Sequence, residues 1–240
     1  MTIKKTKTKA KATRLAVPTP EKLLEAGVHL GHVRRRWHPK MEPFIYTERE
    51  GVHVFDLYKT QEKLKEAAQF LRDTAQQGGK VLFVGTKRQA REIVEAEAKR
   101  VGAFFIVDRW LGGLVTNFSS VKKNIERLEE LKRKAKDKEF EHYTKKEQLM
   151  IKRQIAKLER QVGGLTGMRE LPDALVLASV RGEDIAAREG QQKGISVVGI
   201  ADTNADPSVV DYLIPGNDDS ATSIEIIIKT LADAVEAGKK

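Results

Sequence analysis

The sequence predicts an α/β protein, a doubly wound parallel sheet interrupted by an inserted antiparallel α-helical coiled-coil hairpin. Three observations carry that prediction. Five short, nearly uniform apolar runs ("KVLFVG", "FFIV", "DALVLA", "SVVGIA" and "DYLI") alternate with helical or long connections, as strands covered on both faces require. Between the second and third runs the rhythm breaks into two helical stretches with narrow apolar stripes. The charge, +10 overall, is concentrated in three segments instead of being spread along the chain.

Taken in order, residues 1–18 are a Lys/Thr/Ala-rich tail with little to bury, expected to be disordered when free. Thr19, Pro20 and Glu21 read as a helix start, with Gly27 closing it. "PFIYTERE" and "VHVFDL" read as two extended pieces turning at Gly51. Leu64, Ala68, Leu71 and Ala75 form one helical stripe that stops at Gly78-Gly79. "KVLFVG" follows as a strand, then the helix "KRQAREIVEAEAKRVG" and the strand "FFIV". Val121, Ile125 and Leu128 form one narrow stripe, and Ile151, Ile155, Leu158 and Val162 another, with a polar tip between them. Such a hairpin, 119–161, is expected to protrude, because it carries too little apolar surface to be wrapped by a core. Gly163, Gly164 and Gly167 would return the chain to the body, which spans 19–118 and 162–240.

The absence of cysteine excludes disulfides, thiolate metal sites and cysteine nucleophiles. No apolar run approaches the ~18 residues of a membrane span, and the basic N-terminus lacks the apolar stretch of a signal peptide. A cytoplasmic protein with no membrane partner is expected. Residues 1–16 hold six Lys/Arg and no acid, 29–40 hold four more and no acid, and 119–161 hold 14 basic against 8 acidic residues. Clustered cations on a mildly acidic body suit a polyphosphate partner, because binding releases its condensed counterions.

Enzyme motifs are missing: there is no Walker-type phosphate loop, dinucleotide fingerprint, nucleophile elbow or zinc-protease helix. "FVGTKRQA" puts Lys87 and Arg88 after a strand, where Gly85 serves either a phosphate site or a tight turn with basic residues facing solvent or RNA. His29, His32 and His38 lie beside Arg34, Arg35 and Arg36, whose charge opposes a metal ion there. "RRRWHPK" combines phosphate-binding arginines and Lys40 with Trp37, which either stacks on a base or plugs the sheet. The acidic run 202–219, with Asp202, Asp206, Asp211, Asp218 and Asp219, reads as turns and N-caps, or as a surface for a cation or basic protein, turned away from RNA. "RWLGGLVTNF" joins strand to hairpin, with Arg109 and Trp110 either locking that junction or meeting RNA. From the hairpin, Lys122, Lys123, Lys132, Arg133, Lys145, Lys146, Lys152 and Arg153 are candidate RNA contacts. The competing reading is a nucleotide-binding module or enzyme using the crevice beside Gly85 and Gly112.

The blocks "LLEAGVHLGH", "RWHPKMEPFIYTEREGVHVFDLYKT", "VLFVGTKRQA", "RWLGGLVTNF", "LPDALVL" and "ADTNADPSVVDYLIPGNDDS" occur in this order over residues 20–237. In them the chain resembles the bacterial-type small-subunit ribosomal protein S two family. The resemblance implies a flavodoxin-like body with an inserted helical hairpin. It also implies a structural role in the ribosome, with no catalytic site and no cofactor. The partners it implies are small-subunit rRNA and neighbouring ribosomal proteins, including the large mRNA-binding protein S one.

Overall fold

The computed structural model describes residues 16–240. The basic tail therefore falls, for residues 1–15, outside the described residues. Its inner boundary moves: Val17 packs on an apolar layer of the body, and the Pro18 carbonyl accepts a hydrogen bond from Gln61 Nε2 (2.8 Å). Helix α1 (Pro20–Glu25) follows, preceded by Thr19 in extended conformation.

A small antiparallel sheet comes next. Strands β1 (Leu30–Val33), β2 (Ile45–Arg49) and β3 (Val52–Phe55) lie in the order β1-β3-β2. The β2–β3 turn has positive φ at both Glu50 and Gly51, the geometry of the two-residue turn whose twist matches a hairpin. The strand β1 that completes this sheet was not evident in the sequence, because "LGHV" alternates too briefly to register.

The main sheet has five parallel strands in the order β5-β4-β6-β7-β8: β4 (Val81–Val84), β5 (Phe104–Ile106), β6 (Ala174–Leu177), β7 (Ser196–Ala201) and β8 (Tyr212–Pro215). These are the five apolar runs. Their side chains alternate between two buried layers, as a pleated strand dictates. Val81, Phe83, Val176 and Ile200 join one layer with α2 (Leu57–Gln76), α3 (Arg91–Arg100) and α7 (Ala221–Lys239). Leu82, Val84, Leu175 and Leu177 join the other, which holds α6 (Asp184–Lys193). Helix α3 begins at Arg91, later than its sequence pattern suggests, because Lys87–Ala90 form a preceding turn.

The hairpin consists of α4 (Phe118–Lys136) and α5 (Lys145–Val162), close to its expected limits. One expectation fails. Val121, Ile125, Leu128 and Leu131 of α4, with Leu158 and Val162 of α5, are buried in the same apolar cluster as Leu82 and Leu175 of the sheet. The apolar seam at the root of the hairpin is thus continuous with the core. Counting the stripes as a self-contained seam missed this, because Leu165 and Met168 in the return segment fold under the root and join the cluster. Gly164 allows that return: no side chain would fit between it and the carbonyl of Phe105.

Candidate nucleic-acid interface

In a doubly wound sheet a ligand binds beyond the carboxyl ends of the strands where the strand order reverses, here between β4 and β6. In this chain a buried side chain bridges the loops there, beside a cavity lined by Thr86, Arg109, Gly182 and Glu183. Glu183 is buried, and its Oε1 accepts hydrogen bonds from the Thr86 amide (2.9 Å) and hydroxyl (3.0 Å) after β4. Its Oε2 accepts the Ser179 amide (2.7 Å) after β6. Burial pushes its carboxyl up to about 7 in spite of those three donors. The two loops that would have to part around a phosphate are therefore cross-linked.

Further along the same edge, Lys87 reaches Asp218 (2.7 Å) and Asp219 (2.9 Å) in the loop after β8. The Ser179 hydroxyl donates to Asp218 Oδ2 (2.5 Å). His32 on β1 lies 3.0 Å from Asp202 and 3.3 Å from Asp219. The Asp202 hydrogen bond is the main reason its pKa rises, against half-burial, with the charges of Asp202, Asp219 and Asp218 adding to it. Lys40 is held by Asp206 (3.3 Å) and Ser208 Oγ (2.9 Å). Asp202, Asp206, Asp218 and Asp219 of the acidic run thus meet His32, Lys40 and Lys87. Each aspartate of the run except Asp211 meets a basic side chain of the chain itself, while Asp206, Asp211 and Asp219 still reach solvent. The turn reading holds as well: Asp206 accepts the Ser208 amide (3.0 Å), and Asn217 Oδ1 accepts the amides of Asp219 (2.9 Å) and Ser220 (3.2 Å).

The loop "RWLGGLVTNF" is locked from below. Glu189 of α6 is buried, and its Oε1 accepts Trp110 Nε1 (3.1 Å) and the Gly113 amide (2.8 Å). Its Oε2 accepts the amides of Val115 and Thr116 and the Thr116 hydroxyl, each at 3.1 Å. Burial opposes the charge, but this many donors hold the carboxyl below its ordinary range. Gly113, at φ +86°, supplies the left-handed backbone that turns its amide inward. Of the two readings, Trp110 therefore locks the junction, while Arg109 stays exposed at the rim of the crevice beside Gly182.

The remaining candidates divide sharply. Arg34, Arg35 and Arg36 form an exposed helical turn after β1; Arg34 pairs with Glu48 (3.3 Å). Trp37 is half-buried with its ring edge-on to His53, centroids 5.3 Å apart. Arg88 is exposed. On α4, Lys122 is half-buried, Lys123 and Arg133 are exposed, and Lys132 pairs across the hairpin with Glu159. On α5, Lys145, Lys146, Lys152 and Arg153 are exposed, and among the described residues none of them makes an ion pair. The sequence reading missed Glu183, which joins the loops after β4 and β6, and Glu189, which holds the strand-to-hairpin loop. A signal was present: in "EDIAAREG" both acids fall on the helical face that carries Ala186 and Gly190, a stripe of small residues meant for burial.

A five-stranded parallel sheet whose loops are joined by buried carboxylates, with exposed cations on a loop and on an inserted helical hairpin, defines an α/β scaffold with a basic outer surface. Residues 23–238 match the family model of Ribosomal protein S2. The chain is 46% identical over 226 residues to the small ribosomal subunit protein uS2 of Petrotoga mobilis (strain DSM 10674 / SJ95), covering 94% of this chain and 78% of that protein. The chain belongs to the ribosomal protein S2 family.

Proposed function

We propose that this chain serves as a structural constituent of the small ribosomal subunit, gripping rRNA with the cations that the fold leaves without counter-charge. Arg35, Arg36, Arg88, Arg109, Lys123, Arg133 and the α5 group Lys145, Lys146, Lys152 and Arg153 are assigned to phosphate contact. Arg34, Lys122 and Lys132 contribute from the margin of that surface. Lys40 and Lys87 are assigned chiefly to holding the body together, and Trp37 to packing against His53. The observation that carries this reading is the contrast between basic residues committed to internal acids and basic residues that face outward unpaired, because only the latter can exchange counterions for phosphates. Recruitment of the large mRNA-binding protein S one, and contacts with neighbouring small-subunit proteins, belong to the same reading and rest on family resemblance. Its place of action is the cytoplasmic ribosome.

Cross-linking of the assembled small subunit, read residue by residue, tests the assignment. Cross-links to rRNA are expected at 34–36 and along the hairpin. Cross-links confined to the crevice beside Thr86 and Gly182, or tight salt-insensitive uptake of a nucleotide or flavin by the purified chain, would reverse it.

A further inference from the structure

The far end of the hairpin exposes apolar surface that its own fold does not use. Tyr143 is 49% exposed, Leu149 49% and Met150 60%. Tyr143, Met150 and Ile151 line a shallow groove together with Glu147, Arg153 and Gln154. A solvent-facing helix has no folding reason to display three large apolar side chains at its tip.

The aromatic ring is also held still. Phe140, partly buried against the hairpin core, contacts the Tyr143 ring at 5.7 Å between centroids. The Tyr143 amide donates to the Phe140 carbonyl (3.2 Å), and its own carbonyl accepts from Gln148 Nε2 (3.0 Å). Thr144, the next residue, forms a reciprocal capping box with Glu147, whose carboxylate accepts the Thr144 amide (2.9 Å) and hydroxyl (2.8 Å). A ring fixed on one side and open on the other is a preorganised platform, losing little freedom when something lies on it.

Charge selects the occupant. Glu147 is committed to the cap, and Glu141 pairs with Lys138. The neighbouring Lys145, Lys146, Lys152 and Arg153 are exposed and make no ion pair among the described residues. An apolar groove lined by Arg153, with Lys146 one turn before Met150 on the same helix face, fits a ligand with a flat apolar face and an attached anion. An acidic phosphodiester carrying an unstacked base has both; an amphipathic protein helix would need its own acids placed at each cation.

Resting on the rRNA-binding reading above, we infer that Tyr143 and Met150 form a stacking site for one unpaired rRNA nucleotide, whose phosphates are held by Arg153 and Lys146. The hairpin then reads single-stranded RNA at its tip, in addition to neutralising backbone charge along its length. This is the combination by which single strands are bound without a sequence code: aromatic platform plus cationic track.

The test uses the full chain, with Tyr143→Ala/Met150→Ala against Tyr143→Phe, titrated at several salt concentrations into deproteinised small-subunit rRNA, a single-stranded oligoadenylate and an RNA duplex of equal length. Both changed side chains are exposed, and circular dichroism checks that folding is kept. The double variant is expected to bind rRNA and oligoadenylate about tenfold more weakly, the scale of one stacked base. Its salt slope should be unchanged, duplex binding should be unaffected, and Tyr143→Phe should behave as wild type. Equal affinity of the double variant for rRNA and oligoadenylate overturns the inference. So does a defect seen only on small-subunit particles stripped of this protein and not on naked rRNA, which would give the groove to a protein partner. A wild-type chain whose rRNA affinity ignores salt would instead overturn the parent reading.

Discussion

The crevice above the sheet and the distal hairpin carry the same kinds of residue to opposite ends. Above the sheet, Lys87, His32 and Lys40 sit within 3.3 Å of Asp218, Asp219, Asp202 and Asp206. At the hairpin tip, Lys145, Lys146, Lys152 and Arg153 are exposed and make no ion pair among the described residues. The first region spends its charge on joining loops. The second keeps its charge available. The fold thus sorts the chain's lysines into those committed to acids of the chain itself and those left exposed without an ion pair among the described residues, and buried carboxylates join the loops above the sheet.

Three outcomes would break or sharpen that contrast. The largest is expected at Glu189. Replacing it by alanine removes the acceptor for five donors, including the indole of Trp110 and three amides. Leaving buried donors unsatisfied costs ~1–3 kcal/mol each before relaxation, so Glu189→Ala should lower stability in urea unfolding by at least about 3 kcal/mol. A variant as stable as wild type would mean the strand-to-hairpin junction is not locked from α6.

Next comes Lys87. In Lys87→Ala, Asp218, nearly inaccessible to solvent, loses its cation, and breaking a buried pair costs about 3–5 kcal/mol at most, less here because Lys87 is partly exposed. A loss of roughly 2 kcal/mol is expected, with rRNA affinity in filter binding within about twofold of wild type. A large fall in affinity without a change in stability would place Lys87 among the RNA contacts and erase the distinction drawn between the two regions.

The smallest effect is a pH dependence. His32 has its pKa raised by Asp202, so the folded chain holds that proton more tightly than the unfolded chain. The stabilisation is fully present below the unfolded value near 6.5 and is lost as pH rises through the raised folded value. Urea midpoints of His32→Asn should fall below wild type in mildly acid buffer, by less than about 1 kcal/mol, and converge with it in alkaline buffer. Parallel curves at every pH would show that the pair with Asp202 does not titrate in the folded state.

Much of this was legible in the chain. The strands "KVLFVG" and "SVVGIA" announced themselves because burial on both faces writes an unbroken apolar run. The hairpin announced itself by two stripes at helical spacing. The antiparallel strand β1 did not, being four residues long with only partial burial. Nor did the burial of the hairpin root, because Leu165 and Met168 lie outside its helices. Of the candidate site, the exposed α5 cations can be singled out from charge alone, whereas Tyr143 lies in a stretch that the sequence marks only as a polar tip.

The sequence by itself determined the order of elements, the five-stranded core, the insertion and the segregation of positive charge, since periodicity and composition are properties of neighbouring residues. Only the tertiary structure decided which of those charges are free. Lys40 meets Asp206 across 166 positions and Lys87 meets Asp219 across 132, and no local pattern records an interaction whose two halves are brought together by the packing of the whole sheet.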